Sequence, residues 1–220
     1  MFDGRFRRSV EVVTTPIGRG LVRAGFSADA LTASGLVFAC ATAWAIGVGM
    51  HWGAIVLLTL TGFHDLFDGP VAKAGQRTSQ RGSFFDSVVD RVSDAVVMGG
   101  VAYYLTAHHH GQLVLLPFGI VTASFLISYQ RSKAESLGLS AKGGLMERAE
   151  RMILLGVGLL SAAIFVPVLW VMLALTIMTA FGRFVRVWRA ADRPAPVEPR
   201  LHPRREHARR RRTLSRASRH

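Results

Sequence analysis

The chain is poor in several things, and each shortage excludes something. Its 220 residues include one cysteine, Cys40, so an internal disulfide is excluded and cysteine usage says little about redox compartment. Acids are scarce: 14 Asp and Glu stand against 27 Lys and Arg, a formal charge of +13. No small-residue cleavage site closes the first apolar run, and the basic stretch before it is long, so a cleaved signal peptide is not expected. No internal repeat stands out.

What the chain has in abundance is apolar sequence. Half of it is hydrophobic, and the mean hydropathy is positive. A soluble domain of this length holds one good core. Here the apolar residues fall instead into runs of about twenty, the length a helix needs to cross a bilayer. Six spans are expected, near 28–49, 53–74, 82–106, 112–131, 146–164 and 167–189. Residues 1–27 place apolar and basic side chains so that they separate onto two faces of a helix, which predicts an amphipathic helix at the headgroups.

The links between spans lack basic residues in alternation. The first link ("GMH"), the third ("AHHHG") and the fifth (near "FVP") have no Lys or Arg. The N-terminal segment, the second link (Lys73, Arg77, Arg81) and the fourth (Arg131, Lys133, Lys142, Arg148, Arg151) carry many. The positive-inside rule then puts both termini and the second and fourth links in the cytoplasm. From residue 191 the chain turns rich in Arg and Pro, with ten arginines against three acids. A basic disordered tail, 191–220, is expected to lie at anionic headgroups. It has no aromatic interleaving and no binding fold, so nucleic acid is not an expected partner. The organisation predicted is therefore an N-terminal segment 1–27, an all-α membrane domain 28–190 and a tail.

Within this oily chain, residues 65–90 hold four aspartates. Asp65 and Asp68 are three apart near the end of the second span, and Asp86 and Asp90 are four apart near the start of the third. Either spacing puts both carboxylates on one helix face. Four carboxylates at one depth are costly when bare, and a bound cation relieves the cost. Hard oxygens suit Mg²⁺, Mn²⁺ or Ca²⁺, and four of them hold two ions about 4 Å apart, a spacing that serves phosphoryl chemistry. Gly69, Ala72 and Gly82 leave room for a ligand to approach the backbone, and Lys73 is a point charge for a phosphate. Alone, the glycines are ordinary helix-packing residues and Lys73 an ordinary cytoplasmic anchor. Asp94 continues the Asp86 and Asp90 face by one turn and reads as a partner for a cation rather than a ligand. A cation path in a small transporter is the alternative, but it predicts acids spread through the membrane depth rather than clustered.

Read together, the segment is D-x2-D-G-x2-A-K-x8-G-x3-D-x3-D, from Asp65 to Asp90. This closely resembles the signature of the CDP-alcohol phosphotransferase family, integral membrane enzymes of phospholipid synthesis. Seven of its eight fixed positions match, and Lys73 stands where the family has arginine. The resemblance covers roughly residues 10–190 and implies transfer of a phosphatidyl or similar group from a CDP-linked donor such as CDP-diacylglycerol to an alcohol, with release of CMP. It implies that Asp65, Asp68 and Asp86 bind metal, two Mg²⁺ or Mn²⁺ ions, and that Asp90 is the general base and also touches metal. Gly69, Ala72, Lys73 and Gly82 are implied to meet the CDP moiety. Thr32, in "SADALT", matches a threonine near the nucleotide, although Ala28 replaces a frequent proline there. A homodimer is implied by resemblance only.

The fourth link, "SYQRSKAESLGLSAKGGLMERAER", resembles the branch of the family whose acceptor is inositol phosphate. That makes Arg131, Lys133, Arg148 and Arg151 the expected contacts of the acceptor phosphate, joined by Arg183, in "FGRFVRVW", which falls near another arginine of that branch, although each is also an ordinary cytoplasmic anchor. Glycerol phosphate would suit the same charges.

Overall fold

In the computed structural model, the structure describes Gly20 and residues 27–74, 80–108, 111–141 and 143–192; for residue 28 and residues 65–74 the description is of backbone alone. The expected amphipathic N-terminal helix and the basic tail lie outside the described residues, apart from Gly20, which is helical, and the stretch up to Asp192. The chain divides into a unit of residues 1–187 and a C-terminal unit of residues 188–220.

Among the described residues the fold is all-helical. Helices α1 (Ala28–Gly47), α2 (His51–Ala74) and α3 (Gln80–His108) are followed by a 3₁₀ turn at Gln112–Val114. Then come α4 (Leu115–Ser136), α5 (Arg148–Leu159) and α6 (Ala162–Ala191). Three of these are long and apolar enough to cross a membrane: Asp29–Gly47, Gln112–Ser136 and Ala162–Ala191. Large apolar side chains such as Trp44, Trp52, Tyr103, Phe118, Trp170 and Phe181 point outward, an apolar exterior that water does not tolerate over so wide an area. Hydroxyls in these helices turn back on their own backbone: Thr42, Thr61, Ser124 and Thr176 each donate to the carbonyl four residues earlier. That satisfies a polar group where no water is at hand.

Local chemistry sets the helix ends. Ser27 caps α1, its Oγ accepting from the Ala30 N–H at 3.1 Å, with Asp29 in the first turn against the helix dipole. The link to α2 is only Val48–Met50 long, and it turns on Gly49 at φ +76°. Gly138, at φ +72°, ends α4 in the same way.

The crossing of α1 and α3 depends on Gly100. A Cβ there would fall 2.6 Å from the Ala43 Cα, with the Ala43 carbonyl oxygen closer still. Around this crossing the core gathers Ile46, Val97, Val101, Leu105, Leu116 and Phe165. Tyr104 meets Phe165 edge-on at 5.4 Å.

The fifth link differs from expectation. It was expected near "FVP"; it lies at Leu160–Ser161 instead, and α6 continues through Pro167. Ser161 starts α6, its carbonyl accepting from Ile164 N–H at 3.1 Å and its Oγ from Ala163 N–H at 3.4 Å. Pro167, in the second turn, forgoes only one backbone bond. Phe165 is fully buried, so "FVP" packs into the core rather than forming a surface link. The expected span 146–164 thereby shortens to a helix of 12 residues.

Candidate active site

Four helices supply the described part of the site. Asp86, Asp90 and Asp94 recur every fourth residue along α3, which sets them in one row on one face. Arg131 projects from α4, Arg148 and Arg151 from the first turn of α5, and Arg183 from α6. The polar residues close into a network. Arg148 donates Nε to Asp94 Oδ1 at 3.1 Å and Nη1 to Asp90 Oδ1. Arg151 donates Nη2 to Asp94 Oδ2 at 2.5 Å. Arg183 donates Nη1 to the Ile127 carbonyl at 3.1 Å and Nη2 to the Gly143 carbonyl and Glu147 Oε1, at 3.3 and 3.2 Å. It thereby ties together α4, the loop before α5 and α6. Gly144 is needed in that loop, since a Cβ there would come within 2.7 Å of Thr179.

Two adjoining cavities open at this network. The smaller, about 170 Å³, is lined by Arg91, Arg131, Arg148, Arg151 and Arg183 together with Asp90, Asp94 and Glu147. Five guanidinium groups thus face three carboxylates, an excess of two positive charges. The larger cavity, about 800 Å³, takes its walls from Ser83 to Arg91 of α3 and from Phe125 to Glu135 of α4, and includes Asp86. Asp90, Arg91, Ser128 and Arg131 border both.

The structure therefore brings together Asp86, Asp90, Arg131, Arg148, Arg151 and Arg183. It does not bring Lys133 to them: that side chain is exposed on α4 and lines neither cavity. Residues two apart on a helix point to nearly opposite sides, so Arg131 and Lys133 do not serve one pocket. Thr32 is buried in the first turns of α1, and Gly82 is half-buried at the start of α3. Asp65, Asp68, Gly69, Ala72 and Lys73 lie on the backbone of α2, but their side chains fall outside the described residues. Asp94 pairs with Arg148 and Arg151. That agrees with its reading from the sequence as a partner for a cation, whereas nothing in the spacing singled out Glu147.

The donor set fits a divalent metal. Asp86 and Asp90 offer hard carboxylate oxygens one turn apart on the wall of one cavity, which suits Mg²⁺ or Mn²⁺ and not soft metals. Among the described residues, no three His, Cys, Asp or Glu converge on one point, and Asp65 and Asp68 are the remaining candidates.

A membrane-type helical bundle with an aspartate-rich face beside an arginine-lined cavity defines a class of enzyme acting on phosphorylated lipids. The family description "CDP-alcohol phosphatidyltransferase" matches residues 26–187, and the chain belongs to that family. Two named relatives are similar along most of their length. A phosphatidylinositol phosphate synthase of Streptomyces avermitilis is 34% identical over 192 residues, covering 80% of this chain and 78% of the relative. An archaetidylinositol phosphate synthase of Methanothermobacter thermautotrophicus is 34% identical over 169 residues, 76% of this chain and 83% of the relative. The crystal structure of Mycobacterium tuberculosis phosphatidylinositol phosphate synthase with CDP-DAG bound superposes with a TM-score of 0.75 at 28% identity, over 84% of this chain and 99% of that one. The same enzyme in complex with manganese and citrate gives 0.74, over 83% and 93%. Membership in this family replaces the transporter alternative.

Proposed function

We propose that this chain transfers a phosphatidyl group from CDP-diacylglycerol to inositol phosphate, giving phosphatidylinositol phosphate and CMP. The observation that carries the acceptor is the excess of two positive charges around the smaller cavity, since a phosphate monoester bears about −1.5 to −2 at pH 7. The names of the relatives point the same way, and a solved relative is described with CDP-DAG bound.

Asp90 borders both cavities, the place a base must occupy if donor and acceptor enter from the two sides. The acceptor hydroxyl gives its proton to an Asp90 carboxylate oxygen as its oxygen bonds to the phosphorus that carries diacylglycerol. The bond from that phosphorus to the CMP oxygen breaks, and CMP leaves. Asp65, Asp68, Asp86 and Asp90 would hold Mg²⁺ or Mn²⁺, two ions by resemblance, which when bound neutralise the charge of the donor diphosphate. Gly69, Ala72, Lys73 and Gly82, with Thr32 nearby, are the proposed nucleotide contacts. Arg131, Arg148, Arg151 and Arg183 hold the acceptor phosphate through charge-assisted hydrogen bonds.

The six helices are proposed as six membrane crossings, with both termini and the site in the cytoplasm, and two copies as a homodimer. Helix α5 covers only about 18 Å of a hydrocarbon layer of about 30 Å. Its N-terminus opens into the polar cavity, and backbone that lines a cavity inside protein needs no helix. Residues 28–190 are the catalytic domain on this reading, with 1–27 and 191–220 at the membrane surface.

The test is CMP release by the purified protein from CDP-diacylglycerol, with inositol phosphate, glycerol phosphate or unphosphorylated inositol as acceptor. Inositol phosphate is the expected substrate, and inositol a poor one. Efficient use of glycerol phosphate with no use of inositol phosphate would overturn the acceptor assignment.

A further inference from the structure

We propose that Asp94 is a positioning residue for the acceptor: it holds Arg148 and Arg151 as one preformed phosphate clamp. The inference rests on reading the smaller cavity as the acceptor-phosphate site.

Asp94 is 8% exposed, and each of its two oxygens accepts from a different arginine, Oδ1 from Arg148 and Oδ2 from Arg151. The two arginines stand three apart in the first turn of α5, so their charges repel along one helix face. Both side chains are largely withdrawn from solvent, 19% and 9% exposed, where that repulsion is poorly screened. A carboxylate placed between them offsets the repulsion and fixes both guanidinium planes against the cavity wall. Without it, Arg148 would keep Asp90 and Arg151 the Met146 carbonyl, but an arriving phosphate would have to hold the two like charges together by itself. A clamp assembled beforehand avoids that cost at the moment of binding.

The proposal has a sign that simpler views do not share. Asp94 is itself an anion lining a cavity meant for an anion. If it acted only through its charge, removing that charge would tighten phosphate binding. If it acts by holding the arginines, removing it weakens binding. A purely structural role would lower stability and the active fraction while leaving both Michaelis constants in place.

The experiment uses the full chain, purified in detergent or nanodiscs, as wild type, Asp94→Asn and Asp94→Glu. The acceptor KM is measured at saturating CDP-diacylglycerol, and the donor KM at saturating acceptor. Inorganic phosphate serves as a competitive inhibitor that probes the clamp whichever phosphorylated alcohol is the natural one. Asp94→Asn is expected to raise the acceptor KM and the phosphate Ki together, by about tenfold, with the donor KM within about twofold of wild type. Asp94→Glu restores part of the loss. An acceptor KM and phosphate Ki that stay the same or fall in Asp94→Asn would overturn the proposal, as would equal rises in both Michaelis constants. Where Asp94→Asn yields no folded protein, Asp94→Glu decides: its displaced carboxylate is expected to raise the acceptor KM about threefold, and an unchanged value refutes positioning. A wild-type enzyme that neither prefers a phosphorylated acceptor nor responds to phosphate would instead bring down the functional reading itself.

Discussion

Removing Arg148 tests the division of the site most directly, with Arg131 as its contrast. Arg148 is 19% exposed in its side chain and is held at two points, by Asp90 and by Asp94. Arg131 lines the same cavity but is 50% exposed and pairs with Glu135 one turn along its own helix. A charge-assisted hydrogen bond from a fixed, partly dry guanidinium is worth about 1.5–3 kcal/mol. Since about 1.4 kcal/mol is a factor of ten, Arg148→Ala is expected to raise the acceptor KM by roughly ten- to a hundredfold. An exposed pair one turn apart on a helix is worth about 0.3–0.5 kcal/mol, and its arginine is screened by solvent. Arg131→Ala is therefore expected to cost about threefold or less. The assay is CMP release against inositol phosphate at saturating CDP-diacylglycerol, then the converse. Arg148→Lys keeps the charge but loses the fork that spans Asp90 and Asp94, so it recovers only part. The reasoning is refuted if Arg131→Ala is the more damaging change, or if Arg148→Ala raises the donor KM as much as the acceptor KM.

Other expectations follow from the same geometry. Asp90→Asn removes the proposed base and is expected to slow turnover by about 10²–10⁴ while donor binding, measured by equilibrium dialysis of the CDP-lipid, persists; equal loss of both would make Asp90 chiefly a metal ligand. Asp86→Asn, like treatment of the wild type with a chelator, is expected to abolish CMP release, and Mg²⁺ or Mn²⁺ is expected to restore only the chelated wild type. Gly100→Ala forces a Cβ into the Ala43 backbone, so its melting temperature in detergent should drop by an amount matching overpacking of about 1–3 kcal/mol or more, whereas Gly99→Ala, which meets open space, should not. A reporter fused at His109 is expected to report the side opposite both termini; a cytoplasmic signal would contradict six crossings.

Legibility in the sequence followed the range of the interactions. Helix starts and stops that depend on neighbours could be read: the ends of α1, α2 and α3 fall within two residues of the expected spans. The break between α5 and α6 could not, because hydropathy runs unbroken across Leu160 and Pro167 mimics a terminator. What moves the break to Ser161 is the burial of Phe165 against Tyr104 of α3, a partner distant in sequence. The aspartate row on α3 was legible from its spacing of four. The arginines were legible only as a group of basic residues after the resemblance had been drawn. Their sorting needs the fold: Arg148 and Arg151 meet on Asp94, Arg183 reaches the loop before α5, Arg131 is exposed at the cavity, and Lys133 lines neither cavity. Only Lys133 had a local signal, its offset of two from Arg131.

The row on α3 also explains why so basic a chain keeps three carboxylates here. Asp86 borders only the larger cavity, Asp94 only the smaller, and Asp90 both. From Asp86 to Asp94 the helix rises about 12 Å. One rigid face therefore runs from the carboxylates proposed for the metal-bound diphosphate to the carboxylate that organises the acceptor arginines, with the proposed base between them. Each aspartate is the same chemical group, and its surroundings give it its task. Asp86 lines the open larger cavity, where the proposed function gives it to metal, whereas Asp94 is buried between two guanidinium groups and is taken up by them. Asp90 is touched by Arg148 on one side and reaches the donor cavity on the other. Because one helix carries all three, the separations between these carboxylates do not depend on loop motion. Among the described residues, the loop before α5 reaches the arginine side through Gly143, Gly144 and Glu147 around Arg183. On the proposed function, changes in the loop before α5 would alter the acceptor side while leaving the aspartate row of α3 in place.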